Sequence, residues 1–265
     1  MTEGSGDVEA RYLYAIATAG EKQNLGNIGV EENAVYTIPF KKIAAVVHSC
    51  EPRPYETRDR ALAEGWILEH SYVIDQATKL FGTVIPFSFD VIVQGGDSAI
   101  KGWLCRNYDH LAGELRRVEG RAEYSVEIYY DYDQLAEGAM RGNQELRELA
   151  SRIEQEPKGK AYMLKRNLDQ KLKGLVASEA RKKADEALSE IRSLADEMKV
   201  EAKRSQPPEK YKDKRLLGSY SCLVRNERAN RLGEVLEEIN ALTGFAVRFT
   251  GPWAPFSFVK LGDAA

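Results

Sequence analysis

No stretch of this 265-residue chain approaches the roughly 18 consecutive apolar residues that a membrane helix needs, so no spanning segment is expected. Met1 to Ala10 is polar and acidic and lacks the apolar centre of a secretory signal, which gives the expectation of a soluble, cytoplasmic protein. Cysteine is scarce. Cys50, Cys105 and Cys222 are widely spaced and odd in number, which argues against a disulfide framework and for a reducing compartment. The three histidines, His48, His70 and His110, do not cluster and show no HExxH-type metal spacing. GxSxG, CxxC and paired carboxylates in a recognisable motif are missing. Gly4-Ser5-Gly6 and Gly95-Gly96-Asp97 lack the lysine or third glycine of a phosphate-binding loop and read as flexible or turn segments. A net charge of -3 provides no general attraction to nucleic acid or an anionic membrane, and neither is expected as a partner. These absences give the expectation of no cofactor and no metal, and they leave no recognisable catalytic motif.

What is present is a sequence of alternating periods. Tyr12 to Ala17 is apolar on both faces, as in a central strand. Ala34 to Ile38 and Ile43 to Val47 are strand-like and can pair as a hairpin. Leu62, Trp66, His70, Val73, Ala77 and Leu80 then form one stripe of an amphipathic helix, with Gly82 as its stop. His70 lies on that stripe, which favours a hydrogen-bonded interior histidine over a ligand. His48 reads as a strand end and His110 as an exposed helix position. Cys105 and Cys222 read as small core residues. Val84 to Phe89 is a short strand whose Pro86 marks a sheet edge or an irregular position. A second helix carries Ile100, Leu104, Tyr108, Leu111, Leu115 and Val118, with Asp97 or Ser98 as its cap and Gly120 beyond its end. Ala122 to Tyr130 alternates as a strand with one buried face.

Asp131 to Arg204 shows almost no strand signal and reads as a helix from about Asp133 to Glu156 and a longer one from about Lys160, ended by Ser205-Gln206-Pro207-Pro208. Strand-like Leu216 to Val224 and a helix from Glu227 to Leu242 follow, with Leu232, Val235, Leu236 and Ile239 inward. Phe245, Val247 and Phe249 alternate with Ala246, Arg248 and Thr250. Pro252 and Pro255 then suggest a rigid aromatic corner around Trp253, and Phe256 and Phe258 a return strand. The alternation favours Trp253, Phe256 and Phe258 as core anchors over a partner-contact patch.

The fold class is therefore α+β: two small α+β units, ferredoxin-like variants, joined by a long helical hairpin or arm. Residues 1–131 form the expected N-terminal domain. Residues 132–265 form the second, with the arm at 132–208 and a small α+β unit at 209–265.

Leu111 to Asp131 (LAGELRRVEGRAEYSVEIYYD), Gly159 to Arg166 (GKAYMLKR) and Leu216 to Val259, ending in FTGPWAPFSFV, resemble the GvpL/GvpF gas vesicle proteins. The Tyr12-Leu13-Tyr14-Ala15-Ile16 strand, the helix holding His70 and Ile85-Pro86-Phe87 fit the same pattern in the same order. One segment departs from it: the family usually reads Pro-x-Arg-Phe-Gly where this chain has Pro86-Phe87-Ser88-Phe89-Asp90. The resemblance implies a non-catalytic minor structural or accessory protein for gas vesicle assembly or nucleation, located at the gas vesicle. Its implied partners are the small hydrophobic shell protein (GvpA-type) and other accessory proteins. Trp253, Phe256, Phe258, His70 and Pro86 are the candidate partner contacts or structural anchors. The alternative is a small-molecule-binding or enzymatic α+β protein with a pocket between the two domains.

Overall fold

A computed structural model describes residues 9–202 and 207–261, so Gly4-Ser5-Gly6 and Ser205-Gln206 lie outside the described residues. The chain forms two compact units, Met1–Glu123 with Pro252–Ala265, and Tyr124–Gly251. The sequence suggests one break, near residue 131. The observed division differs because the C-terminal segment is counted with the first unit, where Ala254, Val259 and Leu261 join apolar clusters.

The first unit contains β1 (Ala10–Ala17), β2 (Asn24–Gly26), β3 (Val35–Phe40), β4 (Ile43–Cys50), α1 (Arg60–Phe81), β5 (Ile85–Pro86), β6 (Ile92–Gln94) and α2 (Asp97–Val118). Its sheet runs β2-β3-β4-β1-β5, with β6 also paired to β1. All eight residues of β1 are buried: the apolar run Tyr12 to Ala17 predicts this for its own six, and Arg11 is buried with its guanidinium bonded to Asp97 and Glu9. β3 and β4 form the expected hairpin, closed at Phe40↔Ile43 by a two-residue turn in which Lys41 takes φ 54°. Alternation along β1 sends Tyr12 and Tyr14 to one face with Trp66, Val73, Ile74 and Ala77 of α1. Leu13 goes to the other, with Ile100, Trp103, Leu104 and Leu115 of α2. The variation on a ferredoxin-like plan is that α1 and α2 flank opposite faces of this sheet.

Two local expectations are corrected here. Neither Asp97 nor Ser98 caps α2; Gly96 occupies the cap position without a side-chain bond. The Asp97 carboxylate instead accepts from Arg11 Nε at 2.8 Å and from Tyr36 Oη at 2.9 Å. A buried guanidinium competes for that carboxylate more strongly than a helix end does. Cys105, expected in the core, is exposed, whereas Cys222 is buried.

Beyond α2 come β7 (Arg121–Tyr130), α3 (Tyr132–Gly142), α4 (Gln144–Gln155), α5 (Lys158–Leu194), β8 (Glu197–Val200), β9 (Arg215–Arg225), α6 (Ala229–Asn240) and β10 (Phe245–Trp253). Their sheet runs β10-β7-β9-β8. The single helix expected over 133–156 is two, because the Asn143 side chain accepts from Leu146 N at 3.2 Å and starts α4 afresh. β8, absent from the sequence reading, pairs with β9 at Met198↔Cys222. The helix α6 buries Leu232, Val235, Leu236 and Ile239 as expected. Gly244 takes φ 82°, and a Cβ there would stand 2.8 Å from Leu135 Cδ2, so both conformation and space require glycine.

The strand β7 does not have one buried face: Glu123 and Glu127 are buried as well. Each meets fixed donors. Glu127 accepts from Tyr129 Oη at 2.9 Å and Arg248 Nη1 at 3.0 Å. Glu123 accepts from Ser257 N at 2.7 Å and Ser257 Oγ at 2.6 Å. The expected corner and return strand are also corrected. β10 runs on through Pro252 to Trp253, which an edge strand tolerates, and residues 256–258 form a turn.

Candidate functional site

Alternation places Tyr12 and Tyr14 on the α1 side of the sheet, and the cross-strand partner of Tyr12 is His48 on β4. The helix α1 brings His70 to the same face. The result is a closed polar lattice inside an apolar layer. Tyr12 Oη lies 2.9 Å from His70 Nδ1, and Tyr14 Oη 2.7 Å from His48 Nδ1. The rings cross over: Tyr12 stacks on His48 at 4.9 Å between centroids, and Tyr14 on His70 at 5.3 Å.

The Phe87 carbonyl can only accept, so His70 Nε2–H donates to it at 3.1 Å and the Nδ1 of the neutral ring accepts from Tyr12 O–H. Asp90 N–H donates to Tyr12 Oη at 2.9 Å and Val30 N–H to Tyr14 Oη at 2.8 Å. His48 Nε2 lies 3.1 Å from Tyr55 Oη, so both its nitrogens face tyrosine hydroxyls. Both imidazoles are neutral with every nitrogen occupied. Burial pushes His48 down to about 4 and lowers His70 as well, against the pull of the Phe87 carbonyl. Burial also raises both tyrosine hydroxyls.

Each tyrosine anchors a turn with left-handed backbone. Val30 precedes Glu31 and Glu32, both at φ 57°, and Asn33 Nδ2 donates to Val30 O at 2.8 Å. Asp90 itself takes φ 69°. A side chain in that region costs roughly 1–2 kcal/mol, so a fixed hydrogen-bond acceptor is what holds these turns. Asp90 stands where the family pattern has glycine. Its carboxylate accepts from Tyr55 N at 3.1 Å, and aspartate is among the residues that best tolerate the left-handed region. Ser88, at the usual arginine position, is exposed.

Next to the lattice, Tyr55 and Trp66 line two clefts of 580 and 550 Å³. Glu31, Cys50 and Arg53 contribute to the first, Ile67 and Phe89 to the second, and His70 is not among the lining residues of either. The Trp66 indole N–H is buried without a partner among the described residues. Among them there is also no group of His, Cys, Asp and Glu able to hold a metal ion, and no helix is long and apolar enough to cross a membrane.

The sequence-derived candidates separate. His70 is a lattice member, and Pro86, in the two-residue β5, is buried opposite Ala15. Phe258 is 3% exposed and is a core anchor, but Trp253 at 46% and Phe256 at 44% are not. Core placement fails for those two because the expected return strand is a turn, which ends the alternation. Sequence reaches the lattice only in part: His48 reads as a strand end, and the signal that finds it is Tyr12 and Tyr14 at i, i+2 opposite a histidine-bearing strand. His110 is exposed, and its Nε2–H donates to the Lys260 carbonyl at 2.7 Å. Outside the core, α1 presents Leu68, 70% exposed, with Tyr72 one turn on; Leu62 and Leu80, expected on the inner stripe, are exposed as well because they lie at the two ends of the helix.

The family model described as gas vesicle synthesis protein GvpL/GvpF matches residues 10–260. Gas vesicle protein L1 of Halobacterium salinarum is 31% identical over 252 residues, spanning 94% of this chain and 89% of that one. Gas vesicle protein L of Haloferax mediterranei is 31% identical over 236 residues, 87% and 72% of the two chains. Among solved structures, GvpF from an Anabaena species superimposes with a TM-score of 0.71 at 18% identity, covering 96% of this chain and 99% of that one. GvpF from Microcystis aeruginosa does so with 0.65 at 15% identity, covering 95% and 99%. At such identities these two structures establish the fold alone.

Two predictions follow from the lattice. Because His48 titrates lower in the folded than in the unfolded chain, the unfolded state binds more protons between about pH 4 and 6.5. Stability is complete above that window and falls by about 3 kcal/mol on acidification through it; thermal unfolding at stepped pH should show the slope, reduced in His48→Gln. At position 90, Asp90→Ala loses the bond from Tyr55 N and keeps the backbone strain, whereas Asp90→Gly removes the strain. Urea unfolding should find the glycine variant more stable than the alanine variant by about 1 kcal/mol.

Proposed function

The chain belongs to the GvpL/GvpF family of gas vesicle synthesis proteins, and from that premise we propose that it works without catalysis, by binding, as an accessory or minor structural component of gas vesicle assembly or nucleation. Its partners in this reading are the small hydrophobic shell protein and other accessory subunits. The observation that carries the reading is the outer face of α1. Leu68 and Tyr72 project into solvent one turn apart, while the inner face of the helix is fixed by Trp66, His70 and Val73. Exposed large apolar groups on a rigid element suit recognition of an apolar subunit. Trp253 and Phe256 add two exposed aromatics to the same unit. A structural role for His48 and His70 is supported by their burial, at 0% and 3% exposure, among hydrogen-bond partners from inside the fold.

The test is co-expression of the tagged full chain with the shell protein, followed by pull-down at low and high salt. Capture is expected at both salts, since an apolar contact is not screened. Leu68→Asp with Tyr72→Asp should reduce capture at least tenfold while leaving the thermal midpoint within a few degrees of the parent, because neither side chain is in the core. Capture that survives this double substitution would remove α1 from the interface.

A further inference from the structure

The helix α5 is longer than the core it serves. Its buried residues, Val176, Ala180, Ala184, Ala187 and Ile191, all lie in the second half of its 37 residues. The first half packs a partly buried seam of Ala161, Leu164, Leu168 and Leu172 and carries an unusual outer face. Lys158 to Lys173 holds six basic side chains and one acid, Asp169, in a chain whose net charge is -3. Lys160 and Lys171 pair with Glu156 and Glu145. Lys158, Lys165, Arg166 and Lys173 are exposed and make no ion pair among the described residues. Between these cations stand Tyr162 and Met163, 67% and 64% exposed. Gly159 to Arg166 is part of the sequence resemblance, yet core packing accounts for little of it.

A second observation points to a partner on this face. Gly174 sits in the middle of the helix, where glycine is about 1 kcal/mol worse than alanine. A Cβ there would meet nothing within 4 Å, so nothing described in this chain requires its absence. Met163, Arg166, Gln170, Gly174 and Ala177 follow one another at spacings of three and four, which puts the glycine in line with the basic and apolar residues. A shallow 630 Å³ groove continues along the helix past Gly174, Ala177 and Ser178, with Arg181 and Lys182 beside it and Asp185 and Glu186 also lining it.

We propose that this face of α5 docks an acidic, amphipathic helix of another protein. Its backbone approaches most closely at Gly174 and Ala177, its apolar residues cover Tyr162 and Met163, and its carboxylates meet Arg166 and Lys173, whereas Lys165 lies on the opposite side of the helix from Gly174. A second copy of this chain does not suit the face, since two such basic surfaces repel. Compared with a nucleic acid or a membrane, a helix is the ligand that a missing side chain at Gly174 accommodates. The proposal rests on the binding role proposed above, but on a different surface.

The experiment places p-benzoylphenylalanine at position 163 of the full chain in a vesicle-forming host and identifies the ultraviolet-dependent adduct by mass spectrometry. The expected product joins this chain to a peptide of another protein that has net negative charge and helical periodicity. Arg166→Glu and Lys173→Glu together should reduce the adduct at least tenfold with unchanged circular dichroism. Gly174→Leu should do the same while maintaining or raising the thermal midpoint, which a merely structural role would not allow. Absence of an adduct, an adduct with this chain itself, with lipid or with nucleic acid, or one indifferent to both variants would overturn the proposal. Capture of the shell protein through α1 should survive these substitutions, so failure here is distinguishable from failure of the binding role.

Discussion

Two tyrosine hydroxyls bear the geometry of the first unit. Each accepts a backbone N–H from a turn with left-handed residues and is hydrogen-bonded to a buried imidazole, whose other nitrogen is held in turn. A network of this kind is stabilising only when complete, because each unmet donor or acceptor in the interior costs about 1–3 kcal/mol. Completeness therefore ties β1, β4, α1 and the turns at Val30 and Asp90 to one arrangement. The solvent face of α1 inherits its position from that arrangement through His70 and Trp66.

The second unit solves a different problem. Its long helix presents mainly alanines to its neighbours, and Val176 and Ile191 are the large side chains buried on it. Alanine allows close approach but removes little apolar area from water. Aromatic and ionic contacts supplement it: Tyr129 stacks on Tyr211 at 4.6 Å, and Glu127 is held by Tyr129 and Arg248. Such a unit can support an extended helix whose first half is free to carry charge.

The sequence made the architecture legible where one force dominated. β1 buried on both faces, the β3–β4 hairpin, the inner stripe of α1 from Trp66 to Ala77 and those of α2 and α6 are hydrophobic periodicities that appear where the period places them, while Leu62 and Leu80 at the ends of the α1 stripe are exposed. What was not legible depends on partners distant in sequence. Glu123 and Glu127 looked solvent-facing because their donors, Ser257 and Arg248, lie more than 120 residues away. Asp97 looked like a cap until Arg11 claimed it. β8 has too few β-branched or aromatic residues to announce itself and is recruited by β9. At the candidate site, His70 was recognisable on its stripe, whereas His48 required the cross-strand register with Tyr12. The aromatic ending carried the family resemblance clearly, but only Phe258 of its large side chains is a core anchor.

In this account the histidines hold a surface and the surface does the work. The most direct test complements a vesicle-forming host lacking this gene with either His48→Gln or Leu68→Asp/Tyr72→Asp, with both proteins shown to be folded at the growth pH. The account predicts vesicles with the first variant and none with the second. Vesicles from the surface variant, together with failure of the folded His48→Gln protein, would contradict it and assign the function to the buried imidazoles.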